Sequence, residues 1–259
     1  MHEGSLIARF GRARRDPALA VLEGFHPLKH ALRFGAHVLE VVCRDLAELE
    51  RLAERLAPDQ APRMRELARP VPADAFARLA PLPPTTGVIA LAERPAIDAA
   101  AVIAAGRAAP VVLLEDPRDL GNMGACVRVA AAADAAGVLS SGSHDPWAPD
   151  ALRGAAGLHF ALPVARIERL DELGAPGSGR RSLLALDPGG EPLAPGALPA
   201  DAILAFGTER YGVSDELLAR ADARVSIPMR PGVSSLNLAT SVAAVLFAWR
   251  LSTGSAQAR

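Results

Sequence analysis

The sequence predicts an α/β protein, with a carboxy-terminal domain built on a parallel sheet and a smaller α/β domain before it. Three observations predict it. From residue 111 onward, short apolar runs alternate with stretches of helical periodicity, the pattern of a parallel sheet covered on both faces. Three of those runs end in turns that carry Gly or Pro and polar side chains, as strand ends do where they open a site for a nucleotide-like ligand. The length, 259 residues, holds one large domain or two small ones with ample apolar material.

Taken in order, the amino-terminal domain spans residues 1–94. Leu22-Glu23-Gly24 is a polar turn before a helix over 26–34, and the apolar run 38–42 is a buried strand. Residues 46–56 place apolar side chains at helical spacing with charges between them, which is a surface helix. The proline-rich stretch 70–84 holds a short helix over 73–79, and 87–91 is another strand. Residues 95–109, alanine-rich after Pro95, form a partly helical linker. The second domain, 110–259, has strands at 111–114, 138–140, 159–162, 182–186, 202–206 and 223–227. Its helices fall at 123–136, 148–155, 167–173, 215–220 and 235–251.

Composition narrows the function classes. Residues 1–15 are Arg-rich with no apolar core, so no secretory signal is expected, and the apolar helix 236–249 is shorter than the about 20 residues that span a bilayer. Cys43 and Cys126 lie in separate domains, and the six histidines form no ligand spacing, so neither a disulfide framework nor a metal site is expected. His26 and His30, four apart, are read as surface residues. These features describe a cytoplasmic protein without a membrane partner. The net charge of −1 does not advertise a nucleic-acid binder. Residues 1–33 nonetheless carry six basic side chains (Arg9, Arg12, Arg14, Arg15, Lys29, Arg33) against three acids (Glu3, Asp16, Glu23).

The three turns are Gly121-Asn122-Met123-Gly124-Ala125-Cys126-Val127-Arg128, Phe206-Gly207-Thr208-Glu209-Arg210-Tyr211-Gly212, and Ile227-Pro228-Met229 leading to Ser235-Leu236-Asn237. They resemble the three signature motifs of the SpoU-type (TrmH-like) RNA ribose 2′-O-methyltransferases of the SPOUT superfamily, in the right order, over residues 111–251. Asn122, Gly124 and Arg128 match the first motif, Gly207, Glu209 and Gly212 the second, and Ile227, Pro228, Met229, Ser235, Leu236 and Asn237 the third. One departure is Leu238-Ala239 where the family often has Val-Ser, which removes one hydroxyl. The resemblance implies that the carboxy-terminal sheet ends in a trefoil knot, which periodicity alone does not require. More loosely, Glu23-Gly24, Ala31-Leu32 and Thr85-Thr86-Gly87-Val88 resemble the ribosomal-protein-L30-like substrate-binding domain of such enzymes. A generic supporting α/β domain is the alternative.

Each site residue has a plain reading beside the functional one. Asn122, at a helix start, caps free N–H groups. Arg128, one turn on among small and apolar neighbours, needs an anionic partner: Glu115, Asp116 or Glu209, or, as the resemblance implies, the target ribose or its phosphate. Free arginine is a weak base, so proton removal demands an altered environment. Glu209 is either a solvated loop acid or the group that orients Arg128. Ser235 or Ser234 caps the last helix. The resemblance puts Ser235 and Asn237 near the methyl donor, S-adenosylmethionine, which it lays against Phe206, Gly207, Gly212, Ile227, Pro228, Met229 and Leu236 without a metal.

The implied function is methyl transfer to a ribose 2′-OH of structured RNA, ribosomal RNA ahead of transfer RNA. Rivals are a catalytically inactive RNA-binding relative and a dinucleotide-dependent dehydrogenase. The latter fails because Gly121-x-x-Gly124 is not Gly-x-Gly-x-x-Gly and no acid ends a strand about 20 residues on. The helix 236–249, apolar nearly all round, predicts a homodimer built on the carboxy-terminal half.

Overall fold

The structure, a computed structural model, describes residues 3–104, 106–174, 181–194, 196–208 and 210–257. The chain separates into two compact units: Met1–Ala96 with Trp147–Ala161, and Ile97–Pro146 with Leu162–Arg259.

The first unit runs α1 (Glu3–Ala13), β1 (Leu19–Glu23), α2 (Phe25–Arg33), β2 (Val38–Cys43), α3 (Leu46–Leu56), α4 (Ala61–Leu67), β3 (Ala68–Pro70), α5 (Ala73–Ala77) and β4 (Val88–Glu93). Its sheet has the order β1-β4-β2-β3, with β4 antiparallel to both neighbours and β3 parallel to β2. Leu6 and Phe10 of α1 and Phe76 of α5 close over Val21, Val42, Ile89 and Leu91 to form one core cluster. Apolar burial of this kind contributes about 25 cal/mol per Å². Glu23, at the end of β1, is buried, and its cost is offset by two guanidinium groups, Arg14 at 2.5 Å and Arg153 at 2.9 Å.

Arg153 belongs to the segment that joins this unit from far along the chain. In it, Gly157 takes φ +77°, and an added Cβ would lie 2.6 Å from Pro27 Cα, so only glycine lets the segment close on α2. Trp147 is buried there between His159, Phe160 and the Arg94 guanidinium, 5.4 Å from the ring centre.

The second unit runs α6 (Ala99–Ala104), β5 (Val111–Leu114), α7 (Leu120–Ala132) and β6 (Gly137–Ser140). The chain then forms α8 (Pro149–Gly154) and a 3₁₀ turn (Leu158–Phe160) in the other unit. It returns through β7 (Val164–Arg166), β8 (Leu183–Pro192), β9 (Ile203–Phe206), α9 (Asp215–Arg220), β10 (Ala223–Ser226) and α10 (Leu238–Gln257). The sheet order is β10-β8-β9-β5-β6-β7, and every pairing is parallel. β5, β6 and β9 are buried along their whole length, which is why they read as continuous apolar runs. α10 lies against α7.

Three expectations are corrected. The strand expected at 159–162 is the 3₁₀ turn, and the strand comes later at Val164–Arg166. The buried His159 and the apolar side chains there face the core of the first unit, which mimics a strand in sequence. The helix expected at 167–173 is only the 3₁₀ turn Leu170–Leu173. His30 is not a simple surface residue: it is half-buried, and its Nδ1 lies 2.6 Å from the Ala156 carbonyl. No helix among the described residues is long and apolar enough to cross a membrane.

Candidate active site

α7 opens one residue after Asp119, whose backbone is extended and whose carboxylate accepts the Asn122 N–H at 2.6 Å. Asp119 is therefore the cap, and the expected capping role of Asn122 is corrected. Asn122 sits inside the first turn with its side chain free of that duty, and its Oδ1 accepts from Asn237 Nδ2 at 3.0 Å.

The cap of the last helix is corrected as well. α10 begins at Leu238, not at 235, and its cap is Asn237, whose Oδ1 accepts from the N–H groups of Ala239 (2.9 Å) and Thr240 (3.3 Å). Ser234 and Ser235 precede the helix in an exposed stretch. One amide thus both caps α10 and grips the side chain of Asn122, two positions 115 residues apart.

A cleft of about 410 Å³ opens where β8 passes the end of β9. Its wall contains Phe206, Gly207, Gly212, Ile227, Met229, Ser235 and Leu236, so six of the seven expected donor-site residues meet there. Pro228 does not: it lines a separate, apolar groove of about 440 Å³ beside α10. Gly207 cannot be replaced without rebuilding the wall, since a Cβ would fall 2.0 Å from the Gly212 carbonyl carbon. The close approach arises because Thr208 and Gly212 pair their backbones both ways at 3.0 Å, with Gly212 at φ +71°. Glu209, within that loop, lies outside the described residues.

Arg128 is exposed on α7, and no described acid pairs with it. Of the acids expected to hold it, Glu115 is buried and accepts instead from the Ser214 N–H at 2.8 Å and from its hydroxyl, while Asp116 pairs with Arg118 at 2.6 Å. Met123, Gly124, Cys126, Val127 and Ala130 of α7 are buried, and Arg128 is not.

Residue-type reasoning missed Asp187, Thr208, Tyr211 and Ser241, all in the cleft wall. Asp187-Pro188-Gly189-Gly190 is a strong turn signature inside β8, and Asp187 does accept the Gly189 N–H at 2.9 Å; that signal was available. Among the described residues, no group of three His, Cys, Asp or Glu could hold a metal. The cleft suits a nucleoside-sized ligand: its volume is in the ordinary range, its lining mixes apolar faces with backbone and hydroxyl groups, and the glycine at 207 brings main chain to its surface.

The model of the SpoU rRNA Methylase family matches residues 109–247. An uncharacterized tRNA/rRNA methyltransferase of Mycobacterium bovis is 34% identical over 240 residues, covering 89% of this chain and 80% of that protein. The 23S rRNA (adenosine(1067)-2′-O)-methyltransferase of Streptomyces laurentii is 33% identical over 141 residues, and the chain spans about half the length of that enzyme (52%). The crystal structure of the SpoU methyltransferase AviRb from Streptomyces viridochromogenes, in complex with AdoMet, shares the fold at a TM-score of 0.75. That match has 24% identity and covers 96% of this chain and 98% of that one.

Proposed function

The chain belongs to the SpoU rRNA Methylase family, and from that premise we infer that it transfers a methyl group to a ribose 2′-OH of structured RNA. Ribosomal RNA is the favoured substrate, in line with the Streptomyces laurentii relative, a 23S rRNA 2′-O-methyltransferase. The observation that carries this reading is convergence: segments around 207, 229 and 236 wall one cleft, and the Asn237–Asn122 bond ties its rim to α7.

S-adenosylmethionine, when bound, would supply a sulfonium methyl for in-line transfer, the 2′-O–CH3 bond forming as the S–CH3 bond breaks, with S-adenosylhomocysteine as the leaving group and the 2′-OH proton lost to solvent. Phe206, Gly207, Gly212, Ile227, Met229 and Leu236 would hold the donor, with Pro228 shaping the turn from the far side. The rest of the task is positioning. Arg128 stands in solvent on the helix whose first turn holds Asn122, and an exposed guanidinium serves to hold the phosphate or ribose of the target rather than to accept a proton. Asn122, fixed by Asn237, orients the target side, and Ser235 and Glu209 complete the family set. Mapping 2′-O-methylation in RNA from cells with and without the protein tests the reading; unchanged ribosomal and transfer RNA maps would sink it.

Three further assignments belong to the same proposal. The first unit is an L30-like RNA reader, supported by Arg12 and Arg15, which are exposed with no described acid paired to them. The carboxy-terminal sheet carries the trefoil knot of the resembled family. The protein is a cytoplasmic homodimer through α10, supported by exposed Phe247 (40%) and Leu251 (70%) beside the apolar groove.

A further inference from the structure

We propose that Tyr211 is a stacking platform for a nucleobase of the RNA, placed at the mouth of the donor cleft, with Arg210 as its cationic backing; this rests on the methyl-transfer reading above. The chain is poor in aromatic residues, 4% of the total, and Tyr211 is its only tyrosine. It is 80% exposed, far more than Phe34 (45%) or Phe247 (40%). An aromatic ring left in water forgoes burial, so its position calls for a partner.

The main chain beneath the ring is held, since the Tyr211 backbone N–H donates to Thr208 Oγ1 at 3.0 Å inside the loop closed by the Thr208–Gly212 backbone pair. Arg210 places its guanidinium 5.5 Å from the ring centre. Both side chains line the cleft together with Gly207 and Ser235. An open ring face with a fixed cation at its side matches a nucleotide: base on the ring, phosphate near the guanidinium. A ribose whose 2′-oxygen enters the cleft carries its own base or a neighbouring base within reach of such a platform, and splayed bases on aromatic rings are the usual mode of single-strand RNA recognition.

Two measurements on the full chain test this. In the first, tetranitromethane modifies Tyr211, the sole tyrosine, in the free protein, with deproteinised ribosomal RNA, and with S-adenosylhomocysteine. Slower nitration with RNA but not with S-adenosylhomocysteine is expected; protection by S-adenosylhomocysteine alone would make Tyr211 a donor-site wall and overturn the proposal. In the second, equilibrium binding of the same RNA is compared for wild type, Tyr211→Phe and Tyr211→Ala. Phenylalanine should bind within about twofold and alanine about 5- to 100-fold more weakly. Equal RNA binding by all three proteins, or equal loss in both variants, overturns the platform. Binding is read without turnover, so failure of the wild type to methylate any RNA would count against the methyl-transfer reading alone.

Discussion

Asn237 performs two tasks with one amide, and the two can be separated. Asn237→Asp keeps an acceptor for the α10 N–H groups but loses the Nδ2 donor to Asn122. Stability by urea titration should stay within about 0.5 kcal/mol, because Asp caps as well as Asn, while methyl transfer falls; a variant with wild-type turnover would remove the bond from the mechanism. Arg128→Ala should cut single-turnover methyl transfer at least about a hundredfold and leave donor affinity within a fewfold, since Arg128 is not in the cleft wall. Gly207→Ala should cost about 1–3 kcal/mol or more, read as a lowered denaturant midpoint together with lost donor binding, because the new methyl overlaps the Gly212 backbone. At this scale the sequence was legible in which residues meet but not in their duties. Asn122 and Ser235 are good caps by type, yet Asp119, with its extended backbone, and Asn237 stand immediately before their helices, and that position decides the cap.

Elements were legible where burial is uniform. The parallel strands β5 and β9 announce themselves because both faces are covered, and α3 matches its expected span because one face is charged. The strand expected at 159–162 was misjudged because the apolar side chains there serve a core encoded earlier in the chain, and nothing local says which core. The same segment gives the first unit a pH dependence through His30 on α2. Burial, chiefly, holds its pKa below 6.5, Lys29, Arg33 and His26 push the same way, and the bond to the Ala156 carbonyl opposes them. The unfolded chain therefore takes up this proton first as pH falls below 6.5, and stability declines from there toward the folded pKa of His30. His30→Asn keeps a donor for Ala156 without titrating, so its unfolding midpoint should depend less steeply on pH between 7 and 5 than that of the wild type. Parallel slopes would assign the effect to another group.

For the whole molecule, the proposed dimer predicts a sedimentation mass of about twice 26.9 kDa, with Phe247→Glu and Leu251→Glu shifting it toward one chain. A single-chain mass for wild type at micromolar concentration would show that this face is not an interface. A fragment of residues 110–259 should behave poorly. It keeps Trp147, Leu152 and His159 but lacks the first-unit residues that bury them, so it should bind a hydrophobic dye; replacing 147–161 with a short Gly/Ser linker should abolish that binding. The excursion also imposes a schedule on synthesis. The first 96 residues of the first unit are translated well before the rest of it, and Trp147 and Arg153 arrive only as the ribosome makes residues 147–161. At about 5–20 residues per second, the stretch from residue 96 to Arg153 leaves Glu23 waiting for its second guanidinium for about 3–11 s. Through that interval the nascent chain carries a half-neutralised buried acid and an open apolar face on β1 and α2. Chaperone capture should therefore peak on nascent chains stalled between those two lengths and drop once the exit tunnel has released the segment.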